Sequence, residues 1–389
     1  MPRATPAPQR GSATLRIIVL ALLVRVLSVG VAFFANVTFP PYQPVQFTVK
    51  PQADPFWDTF ARYDSGWYYG IARNGYRYVE GGRSNLAFFP LYPLLMRHVG
   101  RLFGTRAFDY YLGGIIVSWL AFMAAMLVLH RLASQDLSAA EADRSIMYAA
   151  IFPFAFFYGV VYTESLFLLL TLAAFYGFRT RRWLPGALAG ALATATRPNG
   201  ILIWPALAWI AWRGVVEARA ERWKAALAVL AVPAGLTVFA LYVYTISGSQ
   251  LEWYASLRRW GYEPGTNNFA TYAGLMRAIV GRPYAFVTGE HAAPYDLLNA
   301  GGAAMALVAV PFVWRRLGGP YAVFMIANLY IPLSTGQFEG LGRYSAVLFP
   351  MFIWLATFAS PIAQQALIAS FAMLYTLCLA LFVTVHPIF

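Results

Sequence analysis

One cysteine, Cys378, stands among 389 residues, so no disulfide can form within the chain. Histidine is scarce as well. His98, His130, His291 and His386 are scattered, and without a CxxC or HxxxH spacing they form no recognisable transition-metal site. Lysine is almost missing, since Lys50 and Lys224 are the only two, and charged residues of all kinds make up only 12% of the chain. The formal charge of +13 therefore rests on arginine. In a soluble protein that excess would point to nucleic acid. In a chain this apolar, anionic headgroups and phosphates are the expected partners, and nucleic acid is not. Internal repeats are lacking, and low complexity is confined to the Pro- and Ala-rich first dozen residues.

What is abundant is hydrophobic sequence, 60% of the chain, in runs long enough to cross a hydrocarbon core that takes about 20 helical residues. The runs are continuous and do not alternate, so helices are expected and a β-barrel is not. The fold class read from this pattern is all-α and polytopic, one transmembrane domain over residues 1–389. Apolar segments fall at roughly 15–37, 110–130, 145–161, 165–179, 183–196, 199–212, 224–246, 296–314, 320–335, 344–359 and 365–385. About ten or eleven spans are expected, with the short pieces on either side of "TRPNG" broken or re-entrant. The first run follows a basic start, and its length and lack of a small-x-small cleavage site read as a retained anchor.

Orientation follows from arginines in the short links "RTRRW", "WRGVVEARAERWK" and "WRRLG", which are expected to remain cytoplasmic together with the N-terminus. Two long polar segments, 38–109 and 247–295, then face the other side with the short links "VYTES", "TRPNG" and "GQFEGLGR". Their arginines do not overturn that orientation, because long loops escape the positive-inside rule. A phosphate ligand is one reason for such charge to gather there. The first segment mixes aromatic, apolar and basic residues in a way suited to interfacial helices, and Pro90 and Pro93 predict an extended or kinked start to its second piece.

Within that segment, "RYDSGWYYGIARNGY" followed by "NLAFFPLYPLL" resembles the PIG-V family, the second mannosyltransferase of GPI-anchor assembly and its bacterial relatives. The order and spacing match over about 35 residues, with Tyr63 standing where the family usually has tryptophan. "FPFAFFYGVVYTESLFLLL", "TATRPNGILIWPAL" and "GRYSAVLFPMF" look similar to the same family, so the likeness extends over most of the chain. It implies a GT-C membrane glycosyltransferase that takes a sugar, mannose by resemblance, from a polyprenyl-phosphate carrier on the extracytoplasmic or lumenal face. The compact, arginine-rich chain, with no evident retention signal at "TVHPIF", points to a bacterial cell membrane and to a cell-envelope glycolipid, glycan or protein acceptor; a eukaryotic chain would sit in the endoplasmic reticulum.

Transfer from a lipid phosphate with inversion needs one general base within hydrogen-bond reach of the acceptor hydroxyl. A hydrolase needs a second carboxyl to protonate its leaving alcohol, whereas a phosphate leaves as a stable anion and needs cations. Asp64, by its place in the motif, is the expected base; the alternative is an interfacial carboxylate paired with Arg62 or capping a helix. Asp58 would lie about 120° from Asp64 on a common helix and reads as a solvated or capping residue. Glu164 either seats the acceptor or orients Asp64, or merely starts a helix. Arg343 and Arg197 stand at span boundaries, where they bind the donor phosphate or snorkel to headgroups. The remaining substrate-binding candidates are Arg62, Tyr63, Trp67, Tyr68, Phe89, Tyr92 and Tyr344.

Trp57, Trp67, Tyr68, Trp253 and Trp260 are read as stacking partners for sugars or as members of an interfacial aromatic belt, the belt being the reading for most of them. Arg25, near the middle of the first span, is expected to face the bundle and pair with an acid or a carbonyl. No DxD pair occurs in the two long segments, so a metal-held sugar nucleotide is not expected, and no cofactor is. A transporter of lipid-linked sugars is the competing reading, but it predicts mid-membrane charges and repeat symmetry. A transferase for another sugar is a third.

Overall fold

The computed structural model describes residues 10–43, 54–217, 219–263, 265, 269–287 and 294–388. The described part of the second long segment is therefore incomplete, and His291 lies outside the described residues. Among the described residues the regular structure is entirely helical. In chain order the helices are α1 (Arg10–Thr38), α2 (Pro55–Asp58), α3 (Ser65–Asn74), α4 (Leu91–Arg101), α5 (Ala107–Ala133), α6 (Ala139–Ile151), α7 (Glu164–Arg179), α8 (Trp183–Thr194), α9 (Trp204–Glu217) and α10 (Arg222–Ala231). They continue with α11 (Ala234–Ser247), α12 (Glu252–Arg259), α13 (Ala270–Gly281), α14 (Pro283–Val287), α15 (Pro294–Arg316), α16 (Gly319–Leu333), α17 (Leu341–Ala346), α18 (Phe349–Leu355) and α19 (Pro361–Val383).

Among the described residues six helical stretches are long and apolar enough to cross a membrane: Ala13–Thr38, Ala107–Ala133, Pro198–Val216, Arg219–Ser247, Pro294–Arg316 and Pro361–Val383. The other apolar segments of the sequence form shorter or interrupted helices, and proline explains several interruptions. Pro153 holds Phe152 in an extended conformation, so the run at 145–161 leaves the helix after Ile151 and finishes in a 3-10 turn, Ala155–Tyr158. Pro233 separates α10 from α11. Pro198 does the same to Arg197, and the two pieces beside "TRPNG" are broken as expected. Irregular backbone at membrane depth is tolerated where protein buries it or a cavity adjoins it, and residues 152–163 are buried almost throughout.

Residues 54–106 pack across one end of the bundle. The helix α4 lies close against α5, where a Cβ on Gly113 would stand 2.5 Å from the Gly100 nitrogen, so only glycine permits the approach. Leu91 N–H donates to the Ala195 carbonyl at 3.0 Å and ties the same segment to the break after α8. Pro90 stands at the N-cap of α4 and Pro93 occupies its first turn, where a missing N–H costs nothing; Phe88, just ahead of them, is extended. The opposite end is held by exposed pairs, Arg16 with Asp143 at 2.8 Å and Arg179 with Asp136.

Arg25 is 1% exposed and finds carbonyls, as expected: its guanidinium donates to Ala155 at 3.2 Å and Ala150 at 3.3 Å and lies 4.5 Å from the centre of the Phe122 ring. The carbonyls are available because the chain after Ile151 is no longer helical. The break in one element thus supplies hydrogen-bond acceptors to the charge in another.

Candidate active site

Asp58 and Asp64 do not share a helix. Asp58 closes the single turn of α2, and Asp64 precedes α3 as its N-cap residue without using its side chain to cap. Between them Tyr63 adopts a left-handed backbone, φ 49°, which costs a non-glycine residue roughly 1–2 kcal/mol. Its hydroxyl donates to the His386 carbonyl at 2.6 Å, which helps hold the turn. The consequence is a divergence of Arg62 and Asp64.

Arg62 points into the protein at 2% exposure. It pairs with Asp58 at 3.0 Å and donates to the Val383 carbonyl at 3.0 Å and to Asn36 Oδ1 at 3.0 Å. Burial lowers its pKa and Asp58 opposes that. The solvated or capping role read for Asp58 is corrected here, because its side chain is mostly buried and engaged in an ion pair. The pairing of Asp64 with Arg62 is likewise replaced.

Asp64 turns the other way, and its Oδ2 accepts from Arg343 Nη1 at 2.7 Å. The Arg343 Nε lies 3.4 Å from Glu164 Oε1, and the same oxygen takes Arg197 Nη1 at 2.5 Å. Asp64, Arg343, Glu164 and Arg197 thus form one chain of alternating charge. Two of its buried atoms, Glu164 Oε2 and Arg343 Nε, make no hydrogen bond to the described residues. Asp64 is the most open of the four, with its side chain 24% exposed against 1% for Glu164.

Each member is placed by a helix interruption. Glu164 opens α7 directly after the buried irregular stretch, and its carboxylate reaches the arginines. Arg197 is extended, φ −150° and ψ 152°, because Pro198 follows it. Arg343 sits on the short α17, brought against the bundle through Gly342: a Cβ there would lie 2.2 Å from the Phe154 ring, and its N–H donates to Asn299 Oδ1 at 2.9 Å.

Asp64, Arg197 and Arg343 line a cavity of about 310 Å³ together with Tyr68, Phe89 and Tyr344. Tyr344 also lies under Arg197, 5.1 Å from ring centre to guanidinium carbon. Tyr68 is buried, which raises its pKa and keeps its hydroxyl protonated, with Asp64 and Glu164 adding to the effect. Glu164 reaches the cavity only through the arginines. The structure does not bring the other candidates to the wall. Arg62 and Tyr63 are turned away; Tyr92 is fully buried against α5 with its hydroxyl at Ser118; Trp67 stacks on Phe88 and meets the edge of Trp260. Of the remaining tryptophans, Trp260 lines the cavity, whereas Trp57 packs on Phe60 and Phe108 and Trp253 on Phe89.

Sequence reasoning missed Arg83, Tyr262 and Glu339, all on the wall. Arg83 lies over Trp260 at 5.1 Å, and the Tyr262 hydroxyl is close to Gly340. The removal of water raises the Glu339 pKa; Arg343 opposes the rise, and Asp64 and Asp296 add to it. Of the three, only Glu339 had a signal in the sequence, an acid within the "GQFEGLGR" link. Among the described residues no group of three or more His, Cys, Asp or Glu side chains is arranged to hold a metal ion.

The profile of the family described as "Mannosyltransferase (PIG-V)" matches residues 13–255, more than half of the chain. No curated protein matches. Among solved structures, the apo oligosaccharyltransferase of Archaeoglobus fulgidus superposes with a TM-score of 0.51 at 14% identity, over 94% of this chain and 56% of that one. The archaeal oligosaccharyltransferase AglB from Archaeoglobus fulgidus, in complex with an inhibitory peptide and a dolichol-phosphate, gives a TM-score of 0.49 at 14% identity, over 95% of this chain and 56% of that one. The chain spans a little over half the length of these structural relatives, and the first likeness carries the fold expected for the GT-C class.

Proposed function

The chain belongs to the mannosyltransferase (PIG-V) family, and from that membership we propose that it is a multi-pass membrane glycosyltransferase moving one mannose from a polyprenyl-phosphate donor to a lipid, glycan or protein acceptor. The observation that carries this reading is the Asp64–Arg343 pair on the wall of a cavity that Arg197 also lines. A carboxylate and two guanidinium groups are what the reaction requires. Arg343 and Arg197 take the donor phosphate, and Asp64 takes the acceptor proton.

The acceptor oxygen attacks the anomeric carbon as its proton passes to Asp64, and the bond from that carbon to the phosphate oxygen breaks. Polyprenyl phosphate leaves as an anion balanced by the arginines, with inversion at carbon. Arg343 Nη1 donates to Asp64 Oδ2. A phosphate competing for Arg343 frees that oxygen, so the donor prepares the base. Glu164 holds both arginines in place, and the cationic role needs no metal. The arginines of the short links "RTRRW", "WRGVVEARAERWK" and "WRRLG" support a cytoplasmic N-terminus and an extracytoplasmic site.

Transfer from radiolabelled polyprenyl-phosphate-mannose by the purified protein, wild type against Asp64→Asn, tests the assignment. The variant is expected to bind donor normally and lose transfer. Full transfer by Asp64→Asn would remove the base, and a wild type that moves no sugar to any membrane-extract acceptor would remove the enzyme.

A further inference from the structure

Three arginines line the charged cavity, and acids hold only two of them. Arg343 pairs with Asp64, and Arg197 with Glu164. Arg83 makes no ion pair among the described residues, and its side chain spends a single donor, Nε, on the Arg259 carbonyl at 3.3 Å. Glu252 at the start of α12 does not serve it, because Arg259 takes that carboxylate. The two terminal nitrogens of Arg83 are therefore a fork without a partner among the described residues, on a wall that a ligand reaches.

The local structure holds that fork in place. Residues 79–84 close a tight turn, in which Gly82 N–H donates to the Val79 carbonyl at 3.1 Å and Val79 N–H to Ser84 Oγ at 2.9 Å. The end of α12 clasps the turn from outside: Trp260 Nε1 donates to the Ser84 carbonyl at 3.2 Å and Arg259 Nη1 to the Gly82 carbonyl at 3.4 Å. The Arg83 guanidinium carbon lies 5.1 Å from the centre of the Trp260 ring, and Trp67 meets that ring edge-on. A guanidinium fixed by a carbonyl and an indole has little rotamer freedom left to lose when an anion arrives.

The transfer proposed above gives Arg83 no task. A donor with one phosphate is matched by Arg343 and Arg197, which Glu164 joins into one unit. Arg83 stands on a different segment, tied to α12. What lacks recognition is the acceptor beyond its attacking hydroxyl.

We propose that Arg83 is a specificity-determining residue that seats an anionic group, phosphate or carboxylate, on a lipid acceptor whose hydroxyl reaches Asp64. This assignment rests on the reading of the cavity as the transfer site. A fork of two N–H donors matches the paired oxygens of either anion, and a neutral headgroup leaves it unsatisfied. The lipid is favoured by α12, which leaves Leu251 and Tyr254 exposed in the manner of a helix at a membrane interface. The surface beside Arg83 is thus one that headgroups reach.

The test is binding by the full chain in nanodiscs of neutral phosphatidylcholine, with the donor site first saturated by polyprenyl phosphate so that Arg343 and Arg197 are occupied. The probes are dihexanoyl phosphatidic acid, its glucuronate-headed analogue and dihexanoylglycerol, which share their chains and differ in the head. Wild type is expected to bind at least one acidic probe and not the neutral one, and the tighter of the two names the anion. Arg83→Gln should weaken that binding by about tenfold and leave the affinity for polyprenyl phosphate unchanged. In transfer assays it should raise the KM for an acidic lipid fraction and leave kcat near wild type. Equal binding of acidic and neutral probes, unchanged binding in Arg83→Gln, or an equal loss of affinity for polyprenyl phosphate would overturn the assignment. Should Arg83→Gln fail to fold, Arg83→Lys decides, since it keeps the charge and loses the fork: weaker binding than wild type is expected, and equal binding overturns the assignment. A wild type that binds the acidic probe through Arg83 yet transfers no sugar keeps the anion site and removes the transferase reading.

Discussion

Two carboxylates close together in the sequence, Asp58 and Asp64, each pair with an arginine, and the two pairs differ in their surroundings. Asp58 and Arg62 are four positions apart, and Arg62, 2% exposed, spends its remaining donors on Val383 and Asn36. Asp64 and Arg343 are 279 positions apart, and their pair borders a cavity, with the Arg343 Nε making no hydrogen bond to the described residues. The first pair fixes the loop to α1 and α19 and borders no part of the charged cavity, although Asp58 Oδ1 is buried there without a hydrogen bond to the described residues. The second is left with capacity for a ligand. Charge type is the same in both, and each holds one unpartnered buried atom; what separates them is the open volume beside the second.

The largest effect expected along this contrast is on turnover. Asp64→Asn should lower transfer about 10²–10⁴-fold, the range for loss of a general base, with donor binding retained. Arg343→Lys should fail to restore wild-type transfer, because one ammonium cannot reproduce the fork that reaches both Asp64 and Glu164. Asp58→Asn should do the opposite, lowering stability by about 3–5 kcal/mol because the Arg62 charge stays buried, while the folded fraction keeps its turnover. Thermal unfolding and initial rates on the same preparations decide this. A loss of turnover without a loss of stability in Asp58→Asn would erase the distinction between the pairs.

Smaller effects sharpen it. Gly342→Ala should cost about 1–3 kcal/mol by overpacking against Phe154, and it should weaken donor binding because α17 carries Arg343. Glu339 gives the mildest signature. Its raised pKa means the folded protein favours the protonated acid, so the resulting stabilisation is present at low pH and is lost as pH rises through the folded-state value. Glu339→Gln should remove that pH dependence from thermal unfolding, and an unchanged profile would show that the cavity wall does not perturb this acid.

Much of the fold was legible in the residues. Apolar runs predicted α1, α5, α15 and α19 nearly to their ends, because span length is fixed by the bilayer and every backbone group must be satisfied within the helix. The inward placement of Arg25 against carbonyls is legible in the sequence, since a lipid-facing charge in mid-span is costly. Hydropathy marks residues 145–161 and 344–359 as continuous spans, but the helices there are interrupted, because hydropathy averages over the prolines and buried turns that break them. Arg62, Tyr63, Trp67 and Tyr92 lay in the same motif as Asp64 and were grouped with it. The left-handed turn at Tyr63, which sends neighbours to opposite sides, leaves no mark in a residue pattern.

By itself the sequence determined a helical, arginine-rich membrane protein, since composition and hydrophobic run length act locally and need no partner. Only the tertiary structure decided which arginine meets which acid. Asp64 joins Arg343 across 279 positions, and Arg197 joins Glu164 across 33. Pairing at such separations depends on where helix breaks converge at one end of the bundle, and that is a property of packing, which no short stretch of residues encodes.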